Sequence, residues 1–138
     1  RKTAFYSTEF VHDVEEGNYE DFFIRLQSLF ADTPYELIRD LELHYQNVLF
    51  IVSKLLGFYV QAEYHTSDGR IDLTVQTDKY IYVMEFKFDG SAEEALQQIE
   101  EKRYILPFAK DNRKIVKAGV NFSSKTRNIE KWLVKEVE

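Results

Sequence analysis

At 138 residues, with 44% hydrophobic and 15% aromatic content, the chain is long enough to bury one core and too apolar to be a disordered tail. It has no cysteine, which excludes a disulfide framework and any thiolate site, and leaves oxygen and histidine as the donors for any metal. The net charge of −6 is unevenly spread, because residues 102–138 carry ten Lys or Arg against four Asp or Glu, +6, beside −12 in residues 1–101.

No apolar run approaches the roughly 18 residues that span a bilayer, and the N-terminus lacks the apolar block of a signal peptide. The expected setting is therefore cytoplasmic, with no membrane partner. The chain begins at Arg1 rather than methionine, so residues 1–17 are read as a linker or edge segment from an upstream region and residues 18–138 as the domain. Within that first segment, residues 5–12 fit a short edge strand or a linker equally well.

Asn18 is the expected N-cap of a helix with Glu20 and Asp21 in its first turn and Phe22, Phe23, Leu26, Leu29 and Phe30 as its apolar stripe. Asp32-Thr33-Pro34 ends it and opens a second helix to Leu56, whose buried face is expected to be Leu41, Tyr45, Val48, Leu49, Val52, Leu55 and Leu56 and which stops at Gly57. Glu42 lies beside that stripe, where a helix packed on a sheet aims a carboxylate at the sheet's end. A solvated acid is the plainer reading.

Residues 58–65 alternate as a first strand, and Asp68-Gly69 turns the chain into a second over residues 70–76. There Ile71, Leu73 and Val75 share one face, and Arg70, Asp72, Thr74 and Gln76 the other. A third strand over residues 80–88 places Tyr80, Tyr82, Met84, Phe86 and Phe88 opposite Ile81, Val83, Glu85 and Lys87. The link Thr77-Asp78-Lys79 makes these two an antiparallel hairpin, so Asp72, Glu85 and Lys87 converge. Glu63 reads equally as an Arg70 partner or a metal ligand. His12, His44 and His65 lie apart in sequence and read as surface or packing residues.

Ser91 and Glu94 form a capping box for a helix to Leu106, with Ala92, Ala95, Leu96, Ile99 and Leu106 as its stripe and Gln98 at the margin. Residues 115–122 return as a strand parallel to residues 80–88 by a right-handed crossover. Ile129, Trp132, Leu133 and Val137 then outline an amphipathic terminal helix. The sum is α/β: helix, three-strand meander, crossover helix, further strand and helix around a mixed central sheet.

Two carboxylates, Asp72 and Glu85, suit a hard divalent cation, Mg²⁺ or Mn²⁺, which takes oxygen ligands and keeps several waters. The backbone carbonyl of Phe86 is a third candidate donor, and Lys87 a point charge for an attacking water or phosphoryl oxygens. A flank of Arg70, Lys102, Arg103, Lys110, Arg113, Lys114, Lys117, Lys125 and Arg127 fits phosphate contact, with a solvated basic helix as the alternative.

G-R-I-D on one strand, E-F-K on the next and S-A-E-E-A-L-Q-Q-I-E-E-K-R-Y on the crossover helix together resemble the PD-(D/E)XK nuclease superfamily. The likeness is to the branch found as the C-terminal domain of bacterial and archaeal proteins with a predicted AAA-type ATPase ahead of it. It implies a restriction-endonuclease-like core and a Mg²⁺- or Mn²⁺-dependent nuclease, with DNA and an upstream ATPase as partners and a homodimer left open. By that likeness Glu42 is the first-helix acid, Asp72 and Glu85 are metal ligands, Lys87 is the catalytic lysine, Gln98 the glutamine after the central strand, and Glu63 an acid of less certain role. Ile71 stands where the motif's proline would. Two further readings stay open on the same fold: a non-catalytic nucleic-acid-binding domain, and a domain that docks on an ATPase.

Overall fold

Alternation in the sequence becomes a five-stranded sheet in the structure, a computed structural model that describes residues 2–57 and 60–138, the side chains of residues 2–7 and 35 excepted. Three helices come first: α1 (Lys2–Glu16), α2 (Tyr19–Ala31) and α3 (Leu41–Leu56). The meander follows as β1 (Val60–His65), β2 (Arg70–Gln76) and β3 (Tyr80–Phe88), then α4 (Ala92–Glu101), β4 (Lys114–Ser123) and β5 (Asn128–Glu136). The strands lie in the order β1-β2-β3-β4-β5. Only β3 and β4 pair in parallel, as a crossover helix between them requires. The expected α/β plan with a mixed sheet is the one observed.

One sheet face carries the main core, in which Ile71, Leu73, Tyr82, Met84, Phe86, Val120 and Phe122 pack against Phe10, Phe22, Phe23, Tyr45 and Leu49 from α1, α2 and α3. The other face is covered by α4, where Ile81, Val83 and Ile115 meet Ile99. Gly119 on β4 allows this close approach, because a Cβ there would stand 2.4 Å from the Ala92 carbonyl oxygen and from the Leu96 nitrogen.

Four local expectations are corrected. The first concerns residues 1–17, read as a linker or edge strand: residues 2–16 are helix α1, with Phe10 and Val14 buried in the main core. Asp13 on that helix is buried and accepts from Arg25 at 2.9 Å, so the segment is tied to α2. The second is the helix expected from Pro34, which begins only at Leu41, where Asp40 caps it by accepting from the Leu43 N–H at 3.0 Å. Phe58 and Tyr59, read as the start of β1, lie outside the described residues.

The third is α4, which stops at Glu101 rather than Leu106, and Leu106 is 56% exposed. Arg103 takes a left-handed conformation (φ 54°), with its N–H donating to Glu100 O and that of Tyr104 to Ile99 O. This is a Schellman stop built without the usual glycine. The fourth is the terminal helix, which is strand β5. Ile129 pairs with Phe122, Trp132 with Val120 and Val134 with Ala118, across a register irregularity at Asn121/Phe122. A bulge there brings Ile129 and Trp132, three apart, to one sheet face, and that spacing imitates a helix.

Candidate metal centre

β2 and β3 run side by side so that Asp72 is the cross-strand partner of Glu85, and β1 adds Glu63 opposite Asp72. Alternation puts these three side chains on the α4 side of the sheet, with Lys87 two residues on from Glu85. Glu85 is fully buried, and neither of its carboxylate oxygens accepts a hydrogen bond among the described residues. Its nearest compensation is the Lys87 ammonium, 3.6 Å from Oε2. Burial raises its pKa to about 7, the negative charge of Asp72 adds to the rise, and Lys87, Arg70 and Lys102 oppose it.

Asp72 is better held, but only on one side. His65 Nε2 lies 3.0 Å from Asp72 Oδ2, and Tyr104 Oη donates to the same oxygen at 3.3 Å. Its other oxygen, Oδ1, is buried without a hydrogen-bond partner among the described residues, with Arg70 Nε at 3.7 Å. Burial and the charges of Asp72 and Glu85 push the Tyr104 phenol up to about 12, so it remains a donor. Among the described residues, Glu63, His65 and Asp72 also bring one ligand atom each within 4.8 Å of one another, a spacing that can hold a cation.

The remaining expected residues divide. Glu42 lies over the β1–β2 turn, where its carboxylate would be 2.7 Å from a Cβ on Gly69. Gly69, at φ 72°, supplies both the turn and the room, and Tyr45 Oη donates to its carbonyl at 2.8 Å. Gln98 stands one turn before Lys102 on α4, with Oε1 buried and unpaired. Lys102 and Arg103 are exposed at the end of α4. Lys125 is exposed in the β4–β5 turn, and Arg127 on that turn lies close enough to His44 to lower its pKa after burial has done so. Arg70, at 12% side-chain exposure, belongs to the carboxylate cluster itself rather than to an outer flank.

Three of the basic residues are placed where the phosphate reading does not carry them. Lys117 is 5% exposed and its ammonium is bound by Glu100. Arg113 donates to Asp111, Gln76 Oε1 and the Thr77 carbonyl. Lys114 pairs in register with Tyr80, five residues before Glu85 and so about 17 Å from it along the strand. Lys110 is exposed in the connection after α4.

His65 and Tyr104 were not legible as site residues. His65 showed no ligand spacing to a second histidine, and Tyr104 reaches Asp72 only because the chain turns back at Arg103. The donor set fits a divalent cation: a buried carboxylate, Glu85, and a partly buried one, Asp72, at cross-strand positions, with three buried oxygens that no hydrogen-bond donor among the described residues satisfies. A water or an ion would lower the cost of those unpaired oxygens.

A family model described as the PD-(D/E)XK nuclease superfamily matches residues 40–132. An uncharacterized protein in the vnfD 5′ region of Azotobacter chroococcum mcd 1 is 32% identical in an alignment 117 residues long, and the match covers 80% of this chain. The chain spans 23% of the length of that relative. No solved structure matches it.

Proposed function

The chain belongs to the PD-(D/E)XK nuclease superfamily and has a restriction-endonuclease-like α/β fold, and on that premise we propose that it is a divalent-metal-dependent nuclease acting on DNA. The observation that carries the reading is the buried Glu85 carboxylate, unpaired across from Asp72 and beside Lys87. An ionisable group so poorly solvated is costly unless a ligand completes it.

Asp72 through Oδ1, Glu85 and the Phe86 carbonyl are the residues that would hold Mg²⁺ or Mn²⁺, with Glu42 nearby and Glu63 at the outer margin. Such an ion lowers the pKa of a bound water and offsets charge on a phosphodiester under attack. The chain's own residues do the rest. The Lys87 ammonium carries three donors and little exposed surface, and offers them to a water or to phosphoryl oxygens as negative charge develops there. Gln98 Oε1 is a free acceptor that orients a water or a substrate group. Lys102, Arg103, Lys125 and Arg127 steer and hold the phosphate backbone. In its longer setting we read the module as targeted by an ATPase segment in the cytoplasm, a reading that rests on the sequence likeness alone.

The test incubates the chain with plasmid and single-stranded DNA, with Mg²⁺, Mn²⁺ or EDTA, beside Asp72→Asn. Cleavage that needs the metal and is lost in Asp72→Asn is expected. Salt-sensitive DNA binding without metal-dependent cleavage would replace this reading by the non-catalytic one.

A further inference from the structure

We propose that His65 and Tyr104 are positioning residues that hold Asp72 by one oxygen, so that it meets the metal through the other. The inference rests on the metal centre proposed above and assigns roles to two residues outside it.

A carboxylate oxygen is an acceptor, so the 3.0 Å contact is read with His65 Nε2–H donating to Asp72 Oδ2. Tyr104 donates to the same atom at 3.3 Å. Two donors occupy the two lone pairs of Oδ2, whereas Oδ1 is left buried with none. The two donors come from different sides, His65 from the edge strand β1 and Tyr104 from the turn after α4, so together they fix the carboxylate's rotation. Ligating carboxylates are commonly oriented by such outer partners, whose loss weakens metal binding about 10- to 100-fold.

The same atoms admit an opposite reading. Glu63, His65 and Asp72 are close enough to bind an ion themselves, with His65 as a nitrogen ligand. Two features speak against it. Glu63 is 77% exposed and 3.9 Å from His65 Nε2, and the Asp72 oxygen that faces His65, Oδ2, already accepts from Tyr104. The unsatisfied oxygens are Asp72 Oδ1 and the Glu85 pair.

The test titrates Mn²⁺ into the 138-residue chain by calorimetry. The comparison set is Tyr104→Phe, His65→Ala, His65→Gln and Glu85→Ala, with metal-free thermal midpoints as a check on folding. Spin-echo spectra of the Mn²⁺-loaded wild type then report any directly bonded ¹⁴N. The expected result is an affinity about tenfold lower in Tyr104→Phe and in His65→Ala, much of it recovered in His65→Gln, with no ¹⁴N coupling. Recovery by Gln marks a lost donor rather than a lost shape. Unchanged affinity in both Tyr104→Phe and His65→Ala overturns the positioning role and leaves the centre standing. A ¹⁴N coupling that disappears in His65→Ala makes His65 a ligand and overturns it as well. If the wild type binds no more Mn²⁺ than Glu85→Ala does, the centre and the role fall together.

Discussion

The Arg113 cluster at one end of the sheet and the Glu85 cluster at the other are built from the same kinds of side chain, yet only one is complete. Arg113 spends its donors on Asp111, Gln76 and the Thr77 carbonyl, and the hydrogen bonds from Arg113 draw the Asp111 carboxyl down to about 2. Glu85 is buried more deeply, accepts no hydrogen bond, and has its pKa pushed up to about 7. A satisfied cluster stabilises a turn. An unsatisfied one costs stability in the free protein, and that cost marks the site where a ligand is expected.

The largest expected effect breaks the unsatisfied end. Glu85→Gln should lower metal-dependent cleavage by at least on the order of 100-fold, since even outer partners of a metal site cost 10 to 100-fold when lost. Retained cleavage would remove Glu85 from the centre.

The same variant should be the more stable one without metal. Because the folded-state pKa of Glu85, about 7, lies above its ordinary 4.5, the folded chain holds more protons than the unfolded chain between those values. Stability is therefore lost as pH rises from about 4.5 to about 7, by roughly 3 kcal/mol at about 1.4 kcal/mol per unit. Urea unfolding of the metal-free wild type at pH 5 and pH 8 should show that loss, and Glu85→Gln should lack it. A wild type equally stable at both pH values would mean the carboxylate is solvated.

At the satisfied end, Arg113→Ala should cost about 1 kcal/mol of stability and leave Mn²⁺ affinity unchanged, because its bonds are partly exposed and serve only the turn. Calorimetry beside urea unfolding checks both halves. The smallest effect sharpens the boundary between the two ends: Lys125→Ala should reduce the salt slope of DNA binding by about one, and Lys114→Ala should leave it alone. Equal effects of the two would place DNA along the whole sheet.

Much of this was readable from local pattern. Alternation in residues 70–76 and 80–88 sets which side chains share a face, and a short link forces the hairpin, so the Asp72–Glu85 pairing follows from residues close in sequence. His65 was within the same range and still escaped notice, because its partner is one carboxylate and not a second histidine.

What the sequence determined by itself was the α/β order of elements, the strand faces and the pairing of the two acids, all consequences of a two-residue or 3.6-residue period acting locally. The tertiary structure alone decided the rest. Three-residue spacing in β5 passes for a helix until the bulge against β4 supplies the missing residue. Helix α1 has little intrinsic claim to order until Phe10 and Val14 find the core. Tyr104 reaches Asp72 because Arg103 accepts a left-handed turn without being glycine. In each case the deciding contact joins residues distant in the chain, or a backbone state no side chain announces, and a one-dimensional period carries no information about either.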